Sequence, residues 1–355
     1  MIECQNSIRK IDRMLFWRYK IAGKGRGKKK VKQKARVWLC ACLLAAGLWG
    51  CGEEKAEEAI QQESAAAEQE EDSEAAEADE PEVKEKAAED DDKADAQESD
   101  TDSEEETMED ISLDDTWQYA DRSAIHTGTA VLYRATENRK DIIIGVNAGH
   151  GTSGGSSVKT LCHPDGSAKT TGGSTGAGAT RAAAVSGGMT FQDGTPEKSV
   201  TLRMARIFRD SLLAAGYDVL MLRDGDDVQL DNVARTVICN NVADCHIALH
   251  WDGDGLSYDK GCFYISVPDA LKGMEPVASH WQQHDALGAA LIAGLQNQGA
   301  AIYKNGQMSI DLTQTSYSTI PSVDMELGNA CSDHSDEALS RLADGLTEGV
   351  NGYFD

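Results

Sequence analysis

The amino-acid sequence predicts an α/β fold, a single mostly parallel sheet flanked by helices and preceded by a disordered acidic linker. Three observations predict it. From residue 142 onward, short apolar runs alternate with stretches whose apolar residues recur at helical spacing, the order that builds βαβ units. Turn residues separate the two kinds of stretch, as Gly216 does between "RIFRDSLLAA" and "YDVLMLR". Ahead of them, residues 53–115 hold thirty Asp or Glu against four Lys, and almost no aromatic or β-branched side chains.

The elements follow in chain order. "IIIG" at 142–145 reads as a strand covered on both faces. It runs into "VNAGHG", where the glycines beside His150 allow a tight turn at the strand's carboxyl end. A Gly/Ser/Thr/Ala-rich loop at 152–194 comes next. Loops of that length in a compact domain are functional or mobile, and this one is expected to lie over the strand ends and shape a groove. In "TPEKSVTLRMARIFRDSLLAAGYDV", Val200, Met204, Ile207 or Phe208, and Ser211 or Leu212 mark a helix. Thr195 is expected to cap it, with Pro196 at its first position and Glu197 in its first turn. Residues 217–223 form a strand, "LDNVARTVICNNVA" a helix, 245–251 a buried strand and "GCFYISV" another. "HWQQHDALGAALIAGLQNQG" is a helix, 322–327 a strand, and "SDEALSRLADGLTEGVNGYF" the closing helix.

The acidic excess of residues 53–115 equals the formal charge of the whole chain, −26. Such a stretch cannot bury enough apolar surface to offset its ordering entropy, so it reads as a self-repelling tether. It argues against nucleic-acid binding and says nothing about a substrate of the folded part. Before it, "GKGRGKKKVKQKAR" is strongly basic, and "VWLCACLLAAGLWG" is an apolar run of fourteen residues. That is short for a transmembrane helix and suited to a signal-peptide core. The run ends in Leu48-Trp49-Gly50-Cys51, which resembles the bacterial lipoprotein box, in which the cysteine is lipidated and becomes the new amino terminus. The expected organisation is therefore a leader and signal at 1–50, a tether at 51–116 and a folded domain at 117–355, held outside the cytoplasm and anchored to the membrane by lipid on Cys51. A simple uncleaved anchor is the other reading of the apolar run. Five further cysteines fall in the folded part, none in a CxxC pair, which leaves room for one or two disulfides and gives no support to a cysteine zinc site.

Three polar residues sit at strand ends. His150 follows the first strand, His250 closes "CHIALH", and Glu326 lies in "SVDMEL" before the last helix. Strands of one parallel sheet share a direction, so these side chains converge on one edge, where ligands bind in open α/β sheets. A crossover helix starts at that same edge and brings Glu197 there. Two imidazoles and a carboxylate make a three-ligand zinc site with an open position, and a further carboxylate accepts a proton from water. His246 alternates onto the face of His250. His280 and His284 form an i, i+4 pair read as solvated.

In this order the residues resemble the zinc-dependent N-acetylmuramoyl-L-alanine amidases of bacterial cell-wall turnover. The matching pieces are "IIIGVNAGHG", the Glu-Lys helix start, "GYDVLMLRDGDD", the stretch from Arg235 to Asn240, the strand ending in His250, and "IPSVDMELGN". The resemblance covers about 141–353. It implies that His150, Glu197 and His250 bind Zn2+, that Glu326 is the catalytic carboxylate, and that the substrate is peptidoglycan. The chain departs from the family in Asn147-Ala148 before the Gly-His pair, in Trp251-Asp252-Gly253 after the second histidine, and in the long gap between His150 and Glu197. Two alternatives stay open at this point: a zinc peptidase acting within the stem peptide, and a catalytically silent wall-binding module.

Overall fold

The apolar run at 142–145 extends into β3 (Ile143–Ala148), which lies inside an eight-stranded sheet in the computed structural model, whose described residues are 108–355. The other strands of that sheet are β1 (Met108–Ile111), β2 (Ala130–Tyr133), β6 (Asp218–Met221), β7 (Cys245–Asp252), β8 (Cys262–Ser266), β9 (Ile302–Ser309) and β10 (Ser322–Asn329). Their order is β1-β2-β6-β3-β7-β10-β8-β9, and β4 (Lys159–Leu161) and β5 (Arg181–Ala183) pair antiparallel in a separate two-stranded sheet. The central four, β6, β3, β7 and β10, are mutually parallel. Val, Ile, Leu and Met fill both faces there, as a sheet covered by helices requires.

Side-chain alternation divides the sheet between two layers. Ile144, Val146, Ile247, Leu249, Val323 and Met325 point into a core that they share with α1 (Glu197–Ala214), α3 (Val277–Asn297) and α5 (Asp336–Phe354). The opposite face meets α2 (Asn232–Val242) through Ala234, Ile238 and Cys239, with Leu220 and Leu222 beneath. A short helix, α4 (Thr313–Tyr317), packs beside α2, where Asn240 Nδ2 donates to Tyr317 O at 2.9 Å. Gly216 ends α1 as expected: its φ is 87°, and a Cβ there would lie 2.2 Å from Asn138 O.

The structure corrects two expectations, on residues 108–111 and on His284, and fills in two points that the sequence left open. Residues 108–111, assigned by composition to the tether at 51–116, form β1 and pair antiparallel with β2. β8 runs antiparallel to β10, which it adjoins. All five cysteines of the described residues are free thiols, four of them buried. His284 is buried rather than solvated, and its Nδ1 accepts from Ser322 N at 2.9 Å. The leader, the apolar run, Cys51 and most of the acidic stretch lie outside the described residues. Among the described residues, no helix is long and apolar enough to cross a membrane.

Candidate metal centre

The parallel strands deliver the residues that the sequence analysis singled out to one edge. β3 ends at Ala148, and His150 follows in a left-handed conformation, φ 64°. That conformation costs a non-glycine residue about 1–2 kcal/mol, so something must hold it. Two buried arginines do. Arg235, fully buried in α2, donates through Nη2 to His150 O (2.8 Å) and Thr152 Oγ1 (2.9 Å), and through Nη1 to Asn147 Oδ1 (3.0 Å). Arg223, just past β6, donates to Ala148 O (3.2 Å), Gly149 O (2.9 Å) and Lys198 O (2.9 Å). Burial pulls the Arg235 guanidinium down to about 9 and that of Arg223 to about 10, so both remain cations at neutral pH. Together they tie the histidine turn to the start of α1.

α1 opens differently from the expected Thr-Pro-Glu cap. Pro196 takes the cap position in an extended conformation, no side chain caps the helix, and Glu197 is its first residue. The Glu197 carboxylate instead turns to the sheet edge. Its Oε2 accepts from Met189 N (2.8 Å) and its Oε1 from Trp251 N (3.0 Å). The same Oε1 lies 2.9 Å from His150 Nε2 and 3.2 Å from His250 Nδ1, and the two ring nitrogens are 3.0 Å apart. The rings of His150 and His250 meet edge to face, with centroids 4.6 Å apart. Glycines make the room: a Cβ on Gly149 would fall 2.2 Å from His250 Cε1, and one on Gly188 would fall 2.8 Å from His150 Cδ2.

Three donors from two imidazoles and a carboxylate, within 4.8 Å of one another, form the one such cluster among the described residues. Zinc with tetrahedral ligands at about 2.0–2.1 Å separates them by about 3.3 Å, close to the 2.9–3.2 Å found here. The donor set and its spacing fit zinc. Burial alone would raise the Glu197 carboxyl, but His150 and then His250 hold it well below the ordinary glutamate range. Burial pulls the His250 ring down, while Asp324 and Glu197 outweigh that and lift it to about 9. The centre thus concentrates negative potential where a cation would sit.

Glu326 stands beside His250 in the β7–β10 register, on the same face of the sheet. Val323, Met325 and Leu327, which alternate with it along β10, point into the opposite layer. Burial, then the neighbouring Asp252, Asp324 and Glu197, push the Glu326 carboxyl well above its ordinary value. A carboxylate so raised holds a proton more tightly than an ordinary glutamate does. His246, four residues earlier on β7, is fully buried and pushed down to about 3 by burial, with Arg235 and His284 adding to it. It is a neutral imidazole in the sheet interior.

The insertion at 152–194 meets the centre only in part. Its last turn supports two donors, through Ser186 O at 2.9 Å from His150 Nδ1 and through Met189 N on Glu197. Its middle docks away from them: His163 Nε2 lies 2.9 Å from Asp311 Oδ1, Thr170 N donates to Asp311 Oδ2 at 2.7 Å, and Tyr317 OH donates to Leu161 O at 3.3 Å. Arg223, Ser186, Met189 and Asp324 carried no signal in the sequence reading. Arg235 stands out in the sequence only as one end of the stretch from Arg235 to Asn240.

A profile of the family described as "Amidase_3: N-acetylmuramoyl-L-alanine amidase" matches residues 144–349, more than half of the chain. The chain belongs to this amidase family. Among solved structures, the N-acetylmuramyl-L-alanine amidase Ami1 from Mycobacterium smegmatis is similar in fold, with a TM-score of 0.51 at 18% identity over 61% of this chain and 98% of that one. The apo form of Ami1 from Mycobacterium abscessus gives a TM-score of 0.49 at 21% identity, over 61% and 99%. A comparison with curated proteins gives no match. The family match begins within β3 and ends within α5, so it takes in His150, Glu197, His250 and Glu326 together.

Proposed function

We propose that this amidase-family chain hydrolyses the amide between the lactyl group of N-acetylmuramic acid and L-alanine in peptidoglycan, with zinc held by His150, Glu197 and His250. The carrying observation is the convergence of these three donors at 2.9–3.2 Å, with Glu326 next to His250 in register. When bound, zinc supplies polarisation of the scissile carbonyl and acidification of water. The residues supply the rest. Glu326 accepts the water's proton and returns it to the departing alanine nitrogen, the role its raised proton affinity suits. Arg223 and Arg235 keep His150 aimed, so that no reorganisation is needed when the substrate arrives.

The basic leader, the apolar run ending at Cys51 and the acidic stretch behind it support a further part of this reading. The enzyme works outside the cytoplasm, with lipid on Cys51 anchoring it to the membrane. Purified sacculi digested with the full chain test the reaction. New amino-terminal alanine is the expected product; another new amino terminus would indicate cleavage within the stem peptide, and no new terminus would refute hydrolysis.

A further inference from the structure

Ligand donors hold their lone pairs on one point only when a second contact fixes the other side of each group. Two of the three donors here have such a contact within hydrogen-bond range. His150 faces the cluster through Nε2 and keeps its Nδ1 at 2.9 Å from Ser186 O, a carbonyl that can accept only from Nδ1–H. Glu197 is held by Met189 N and Trp251 N. His250 presents Nδ1 to the cluster, which leaves Nε2 on the far side of its ring. The group that faces this Nε2 is Asp324, with Oδ2 at 3.8 Å.

Asp324 has no evident packing role. It lies two residues before Glu326 on β10, in register with Ala248 of β7, and is only 9% exposed. Its Oδ1 has no hydrogen-bond partner. A buried carboxylate left so is costly, and an apolar residue at this point of the strand would avoid the cost. The separation from His250 is beyond a hydrogen bond by less than an ångström (about 3.2 Å is the usual limit). A modest rotation of the acid or the ring closes it.

We propose that Asp324 is a positioning residue for the metal centre: it accepts the Nε2–H of His250 and so fixes the tautomer whose Nδ1 lone pair faces His150 and Glu197. This rests on the metal-site reading above. Asp324 touches neither the three-donor point nor the scissile bond; it acts through the imidazole. It completes an outer set in which each donor is held from behind, two by the insertion and the strand edge and one by β10.

The full chain, wild type and with Asp324→Asn and Asp324→Leu, is titrated with zinc against a competing chelator, and the imidazole nitrogens are followed by long-range 1H–15N correlation. Asn keeps an acceptor of the same shape without the charge, and Leu removes the acceptor. The expected result is a zinc affinity lowered about 10- to 100-fold by Leu and less by Asn. In the zinc-free chain, brought to a pH above about 9 where the His250 ring is neutral, the protonated Nε2 signature of His250 is expected in the wild type and lost in Asp324→Leu. Zinc affinity within twofold of wild type in both variants, with the His250 tautomer unchanged, would overturn the role of Asp324 and leave the three-ligand site standing. A wild-type chain that takes up no zinc would overturn both.

Discussion

Gly149→Ala tests the centre without touching a ligand or a proton-transfer group. A Cβ built on Gly149 falls 2.2 Å from His250 Cε1 and 2.6 Å from both ring nitrogens. Ordinary contact begins near 3.4 Å, so the ring must retreat by about 1.2 Å or the β3 turn must give way. The turn is the harder of the two to move, because Arg223 and Arg235 hold the carbonyls of Ala148, Gly149 and His150. The ring therefore moves, carrying Nδ1 off its 3.0 Å and 3.2 Å spacings to His150 and Glu197. Metal sites tolerate about 0.2 Å of error in ligand position, and a 1 Å misplacement costs on the order of 10²-fold in rate. Overpacking of this kind costs about 1–3 kcal/mol of stability, which a domain of this size survives. The assay pairs zinc stoichiometry after dialysis with release of amino-terminal alanine from sacculi, and circular dichroism checks the fold. Normal zinc content and normal turnover in a folded Gly149→Ala chain would refute the argument that the three donors act as one rigid site.

Glu326→Gln is expected to retain zinc and lose activity on the order of 10²-fold or more, measured on the same sacculi; an emptied site would instead make Glu326 a ligand. Cys51→Ser is expected to abolish incorporation of labelled lipid, and unchanged labelling would exclude Cys51 as the anchor. Asp311→Ala is expected to release the middle of the insertion, so that trypsin cuts after the otherwise buried Lys169; resistance equal to wild type would mean that Asp311 does not pin it. Burial alone would raise the Asp311 carboxyl, but His163 and Thr170 outweigh it and hold it below its ordinary value. Its contribution is therefore present above the unfolded-state value of about 3.9 and fades only as pH falls below that. The protection of residues 163–171 against hydrogen exchange, corrected for the intrinsic pH dependence of exchange, should accordingly be as great at pH 5 as at pH 7.

The sequence exposed the parts of this molecule that have a period or a punctuation. Ile143–Ala148 and Cys245–Asp252 are apolar because both faces are covered, and each delivers a histidine at its carboxyl end. β9 escaped because it is an edge strand, with an exposed, alternation-poor "IYKNGQMS" that no core has shaped. β1 escaped because its residues are as acidic as the stretch before them, and only pairing with β2 sets them apart. The three residues that converge, His150, Glu197 and His250, were legible as residue types at strand and helix ends. Their outer partners were not, since Ser186 and Met189 contribute backbone atoms that any sequence could supply. Asp324 was hidden by its neighbours: in "SVDMEL" it reads as the polar half of an alternation, and only the β7–β10 register puts it against His250.

The insertion between His150 and Glu197 leaves the sheet edge and comes back to it at the same point, because the two residues that bracket it touch at 2.9 Å. A segment with coincident ends can lengthen or shorten at little entropic expense, each doubling adding only about 0.6 kcal/mol. The chemistry of the centre is thereby decoupled from the size of its surroundings. Only the last turn, which carries Ser186 and Met189, is bound to the donors, and everything from the His163–Asp311 contact outward is free to be exchanged. The insertion is thus an interchangeable fitting: its length and its middle can change without a change at any donor of the centre.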